Sequence, residues 1–433
     1  MSPPPEGRAA PRALPLPRGI DAMLRPGGHV FRGWYIAIGA AGIQLLAGML
    51  WMHSYGAYTV LLQEEFGWSS FIVGLAFALT RVESGILGPL QGWLVDRFGP
   101  RPVLRVGTLI FGGGFILFAT VDSVITFFIT FALIAVGSSL GGFATLMVAI
   151  VNWFNRHLAK AVAVSQLGFG LGGLCVPVVI LMLELFGWRA TAVISGIFVM
   201  AVGLPLIQIV HHRPADIGEL PDGGAPIHAD GKAPPMRDDF TARQAMRTSS
   251  FWLISIAHAM ALLTVSTVMV HLVPHLTREL SFTLTQAGLV VALMTACQMG
   301  GQLLGGWLGD NLPKRLVCVG CMLGHASGFF LLAFATNVWM VVGFALLHGT
   351  GWGARGPLMV ALRADYFGAA SFGTIMGFSS LIAMLGMALG PTIAGAMADA
   401  QGNFTGGFAL LAAGSLVGAG CFLAAKRPTL PAA

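Results

Sequence analysis

This chain is short of charge. Asp, Glu, Lys and Arg make up only 10% of its 433 residues, against about 25% in a soluble globular protein. It cannot clothe a water-facing surface and is expected in lipid. It has few tyrosines and only 5 cysteines. All five (Cys175, Cys297, Cys318, Cys321 and Cys421) lie inside apolar segments. Cys318 and Cys321 have CxxC spacing but no second pair and no histidine ladder, so packing is a better reading than a metal or redox site. No Walker loop, nucleotide fingerprint or metal cluster occurs, which points to a gradient rather than ATP as the energy source. Neither cofactor nor metal is expected. Residues 1–30 hold Pro and Arg without a continuous apolar stretch and read as a disordered basic tail, not a cleaved signal.

What the chain does have is hydrocarbon, at 56% hydrophobic residues. Its apolar runs are about twenty residues or longer without period-2 alternation, which selects helices over a barrel. Twelve spans are predicted, near 33–60, 70–94, 103–121, 125–151, 161–183, 190–210, 249–275, 284–308, 316–335, 338–362, 371–398 and 406–425. The expected fold is an all-α membrane protein, two six-helix bundles at 31–210 and 249–425 joined by a polar linker, 211–248, with a tail at 426–433. The 59 glycines suit close helix contact in a membrane.

Basic residues set the orientation. With the N-terminus inside, the inner loops receive Arg97, Arg101, Arg105, Arg156, Lys160, Lys314, Arg315 and Arg363, and the outer ones only Arg189 and Arg278. That asymmetry predicts two cytoplasmic termini in a plasma-membrane protein. The net charge of +6 is therefore a topology signal and gives no reason to expect nucleic acid.

The halves repeat. Gly92-Trp-Leu-Val-Asp-Arg-Phe-Gly-Pro-Arg101 returns as Gly306-Trp-Leu-Gly-Asp-Asn-Leu-Pro-Lys-Arg315, an offset of 214 (306 − 92). Leu146-Met-Val-Ala149 returns as Leu358-Met-Val-Ala361, an offset of 212 (358 − 146). Two halves of one ancestry form a known transporter architecture.

The first block is similar to the signature between the second and third helices of the major facilitator superfamily, and its degenerate copy falls where that family places its second copy. The resemblance spans the chain from about residue 31. It implies gating by Gly92, Asp96, Arg97, Gly99 and Arg101, with Asp310 and Arg315 in the copy. Tyr55-Gly-Ala-Tyr-Thr-Val-Leu-Leu-Gln-Glu-Glu-Phe66, Trp153-Phe-Asn-Arg156, Gly187-Trp-Arg189 and Asp365-Tyr-Phe-Gly368 resemble the monocarboxylate-transporter-like and oxalate/formate-antiporter-like branch. One departure stands out. Monocarboxylate carriers place a substrate arginine on helix 8, whereas 284–308 here carries no charge.

Two costly cations remain. Arg355 interrupts the apolar run Val338 to Leu362 and Arg81 the run Ser70 to Leu94. A cation at bilayer depth must face a cavity or a counter-ion. In the repeat Arg81 aligns with Thr295 and Arg355 with Phe143, so the shared fold demands neither. Anion coordination or gating is one reading, a buried ion pair or a cap for helix carbonyls the other. Helical spacing places His348, Trp352, Arg355 and Met359 on one face. The expected substrate set is Arg355, Arg81 and Trp352, joined by Tyr55 and by His258 on the seventh helix, which the resemblance lines up with the cavity. Glu83, His348 and His53 are the expected proton carriers, since burial or a near-neutral titration suits that task. Structural roles for each stay open.

The expected function is secondary transport of a small organic anion, a monocarboxylate, with protons, by alternating access across the bilayer. Anion exchange and the efflux of apolar compounds are the alternatives. An enzyme is not expected.

Overall fold

The computed structural model describes residues 24, 30–68, 70–224 and 239–429; within helices some side chains, Arg81 and Asp399 among them, also lie outside the described set. The predicted tail at 1–30 falls almost wholly outside it, as does the middle of the linker.

Among the described residues there is no strand. Helix α1 (Arg32–Ala47) passes through a π-helical turn, Gly48–Met52, into α2 (Tyr55–Phe66). Then come α3 (Ser70–Phe98), α4 (Pro100–Phe118), α5 (Val124–Leu140), α6 (Phe143–Trp153), α7 (Leu158–Leu174) and α8 (Val176–Ile209). Gly187, at φ +75°, breaks α8 in two. The linker contributes a short α9 (Ala242–Met246). The second half is α10 (Ser249–Arg278), α11 (Leu284–Asn311), α12 (Lys314–Ala333), α13 (Val338–Phe367), α14 (Phe372–Gln401) and α15 (Thr405–Ala424).

Helix starts carry side-chain caps: Ser123, Thr248, Thr283 and Asn337 each accept from an amide of the following turn. Left-handed Gly67 and Gly402 close α2 and α14. Among the described residues, nine segments are long and apolar enough to cross a membrane. Helices α3 and α13, with 29 and 30 residues, have the length as well but carry the intramembrane charges. Large apolar side chains cover the outside of the bundle, Ile125 at 72% and Trp339 at 77% exposure among them, as a lipid-facing surface requires. The chain is a multi-pass membrane protein.

The halves meet along two helix pairs, α3 against α14 and α7 against α11. Small residues allow the approach. A Cβ on Gly92 would overlap the Gly373 carbonyl, and one on Gly377 the Gly88 carbonyl. At the end holding the linker, a buried cluster joins Val148 and Ala149 to Val360 and Ala361, so the repeated Leu-Met-Val-Ala segment meets its own copy across the pseudo-symmetry. That end of the molecule is shut.

The linker is bound rather than loose where it is described. Asp222 accepts from the Asn155 and Arg156 amides at 3.1 and 2.8 Å, and Asp239 from those of Ala369 and Ala370 at 2.9 and 3.1 Å. The loops they hold are equivalent in the two halves.

Candidate functional site

Two polar constructions hold the halves together or stand between them. The first lies at the shut end. Asp96, near the end of α3, accepts from the Gly373 and Thr374 amides at 2.9 and 2.8 Å and from the Thr374 hydroxyl at 2.7 Å. Asp310, near the end of α11, accepts from the Ala159 and Lys160 amides at 3.0 and 3.4 Å, with the Lys160 ammonium 3.4 Å away. Each carboxylate sits on a helix N-terminus of the other half, where free amides and the helix dipole favour an anion.

The rest of the repeated block behaves differently. Arg97 is exposed and lies over the Trp93 and Phe98 rings at 5.9 and 5.8 Å. Arg101 donates to the Val210 and Gln208 carbonyls at 2.9 and 2.6 Å, within its own half. Arg315 likewise reaches Ala425, at 3.2 Å. Gly99, at φ +81°, makes the turn between α3 and α4. Only Gly92, Asp96 and Asp310 of the predicted gating set touch the opposite half; the arginines bond to neighbours in their own half.

The second construction is on α13. Arg355 is 2% exposed. Its Nε and Nη1 have no partner, and neither it nor Arg363 forms an ion pair among the described residues. Gly356, beside it, is so close to Gln166 of α7 that a Cβ would strike the Gln166 amide oxygen. Arg355 therefore lies near the seam between halves.

Arg363 corrects the sequence reading, which placed it in an inner loop. Helix α13 runs on to Phe367 and stops at Gly368, φ +78°, and Arg363 is 3% exposed inside it. It donates to His258 Nδ1 at 2.8 Å, to Ser379 Oγ from Nη2 at 2.7 Å and Nε at 3.1 Å, and to the Met359 carbonyl at 3.2 Å. Ser379 in turn bonds to Ser255 at 2.8 Å. Two signals in the sequence could have found it. Gly368 is a helix stop, and eight residues after Arg355 bring the chain back within about 80° of the same face.

The other predicted residues scatter. His258 is half-buried and belongs to the Arg363 network. His348 is fully buried and bonds, Nδ1 to Nδ1 at 2.9 Å, to His325 of α12, with the Phe344 ring stacked on it. Trp352 is half-buried, its ring 6.3 Å from that of His348. Tyr55 packs on Phe131 at 5.0 Å in an aromatic cluster of the first half. His53 is exposed beside the π-helical turn, its ring 4.7 Å from Phe169. Glu83 is half-buried; Ser84 bonds to one oxygen at 3.1 Å and the other has no partner. The Arg81 side chain lies outside the described residues.

A sequence model of the Major Facilitator Superfamily matches residues 40–269 and 254–433. The chain belongs to the major facilitator superfamily. Monocarboxylate transporter 11 of Homo sapiens is 27% identical over 407 residues, covering 90% of this chain and 82% of the relative. The oxalate:formate antiporter of Oxalobacter formigenes is 23% identical, covering 84% and 85%. Among solved structures, the E. coli fucose:proton symporter FucP superposes with a TM-score of 0.70 at 14% identity, over 91% of this chain and 98% of that one. This member of the superfamily is thus a transporter of the monocarboxylate and oxalate/formate branch, not an enzyme. Its relatives include carriers of organic anions.

Proposed function

We propose that this protein carries a small organic anion, a monocarboxylate, in symport with protons by alternating access. Arg355 supports the reading above all. A guanidinium at 2% exposure with two unpartnered N–H groups is costly unless an anion visits it. Its planar fork suits a carboxylate, which accepts two parallel bonds. Arg363, also buried and held only by neutral acceptors, adds a second positive charge nearby.

The proposed orientation has both termini in the cytoplasm and the protein in the plasma membrane. The Asp96 and Asp310 contacts then act as cytoplasmic clamps, and the state described here faces outward. Glu83 and His258 are the titratable groups best placed to take a proton; His348, locked against His325, is less so.

One observation favours a second reading. Among the described residues, Arg355 and Arg363 pair with no carboxylate that could exchange protons, and paired cations alone suffice for anion exchange. Uptake of formate, lactate and oxalate into proteoliposomes, with and without an imposed pH gradient, separates the two. Accumulation driven by the gradient supports symport, and counterflow indifferent to it supports exchange. No uptake of any carboxylate removes the anion reading.

A further inference from the structure

We propose that His258 and Arg363 form the switch that makes anion and proton binding interdependent. This inference rests on the carboxylate reading of the site. It names the coupling residues, which neither the fold nor the relatives assign.

Hydrogen-bond chemistry fixes the state of the pair. A guanidinium only donates, so in the 2.8 Å contact between Arg363 Nη2 and His258 Nδ1 the imidazole must accept. His258 is then neutral, with its proton on Nε2. An imidazolium would turn N–H against N–H, and the contact would break. The network around it is closed in the same way. Ser255 gives its proton to the Phe251 carbonyl at 2.7 Å, so Ser379 must donate to Ser255. The lone pairs of Ser379 are then free for the two N–H groups of Arg363. Every acceptor on Arg363 is neutral.

Among the described residues, no carboxylate or second imidazole contacts His258. From α13 it faces Arg363 in contact and Arg355 within electrostatic range. Helix α14 presents Ser379 and has no titratable residue before Asp399. Helix α15 has only Cys421, and α12 sets Cys318 and Cys321 beside Arg355. The charges of α9 and α11, Arg243 and Asp310, lie at the shut end.

A carboxylate changes the balance. It accepts from a guanidinium more strongly than a neutral imidazole does, so an entering anion draws Arg363 off His258. Nδ1 is then free to take a proton, and the negative charge beside it stabilises the imidazolium. Linkage makes the effect mutual. An anion promotes protonation of His258, and the proton holds the anion. The empty carrier keeps His258 neutral and returns without a proton.

The test compares wild type with His258→Asn, whose amide oxygen can still accept from Arg363 but does not titrate. Both are purified as monodisperse protein and reconstituted with lactate as probe. The expected result is loss of accumulation under an inward proton gradient, and a lactate affinity that no longer changes between pH 5.5 and 7.5. Gradient-driven accumulation in His258→Asn equal to wild type overturns the switch. So does loss of coupling in Glu83→Gln with His258→Asn unchanged, which moves the proton to Glu83. Should His258→Asn fail to fold, Ser379→Ala takes its place. By loosening the hold on Arg363 it should tighten lactate and flatten its pH dependence, and an unchanged pH profile would reject the proposal. Wild-type protein that exchanges no carboxylate marks a different failure, that of the anion site itself.

Discussion

Asp96 and Asp310 stand 214 residues apart (310 − 96) and hold reciprocal positions: each caps a helix of the opposite half, α14 for Asp96 and α7 for Asp310. The two contacts are one construction repeated by the internal duplication. They close the end of the molecule where the linker lies, and opening that end must break both.

Removing the charge should therefore weaken closure without touching the anion. A capping carboxylate on a helix N-terminus contributes about 1–2 kcal/mol. Asp96→Asn or Asp310→Asn should shift the population roughly five- to thirtyfold toward opening at that end, slow turnover and leave carboxylate affinity within a few-fold. Hydrogen exchange at the Gly373 and Thr374 amides would report it for Asp96. A large loss of affinity at normal turnover would place these residues at the substrate instead.

Arg355→Ala should be the most damaging change to binding. Losing a charge-assisted bidentate contact in a low-dielectric site costs about 2–5 kcal/mol, or roughly thirty- to several-thousand-fold in affinity. Arg355→Lys should recover part of it, because an ammonium lacks the fork. Carboxylate titration of folded, monodisperse protein decides the matter. Near-normal affinity in Arg355→Ala would make the residue structural.

Gly92→Ala tests the helix contact. Its new methyl would overlap the Gly373 carbonyl, so α3 and α14 must separate there. Overpacking of this kind costs about 1–3 kcal/mol, seen as a lower melting temperature in detergent and faster exchange at the Asp96-bound amides. An unchanged melting temperature would show that the pair slides freely.

Acid should destabilise the shut end through His157 and His212, which lie in loops outside the spans. Burial, and next the positive charge of Lys160 for His157 and of Arg213 for His212, holds both below the ordinary 6.5. The unfolded chain then binds more protons than the folded one once pH drops through 6.5. Stability falls from there and levels off below the depressed folded values. Wild type should melt lower at pH 5.5 than at 7.5, with a smaller difference in the His157→Gln, His212→Gln double variant. An equal difference in both proteins rules these histidines out.

Much of this was legible along the chain. Charge scarcity, span length and the two copies of the Gly-x-Leu-x-Asp block specify a duplicated helical membrane protein, because lipid leaves the backbone few ways to bond to itself. Arg355 was visible as well, since a lone cation in an apolar run stands out in one dimension. Arg363 did not stand out: at the margin of its run it looked like loop charge, and only the helix continuing to Gly368 buried it.

Partnership was a different matter. His258 meets Arg363 across 105 residues, and Asp96 meets Thr374 across 278. His348, on the same helical stripe as Arg355, instead turned to His325. Periodicity fixes which residues share a face of one helix, but the crossing of two helices fixes what that face meets. The sequence by itself determined the helical class, the duplication and the lone buried cation Arg355. Only the tertiary structure decided which donors found acceptors, since hydrogen bonds act over about 3 Å and that distance is set by how the helices pack.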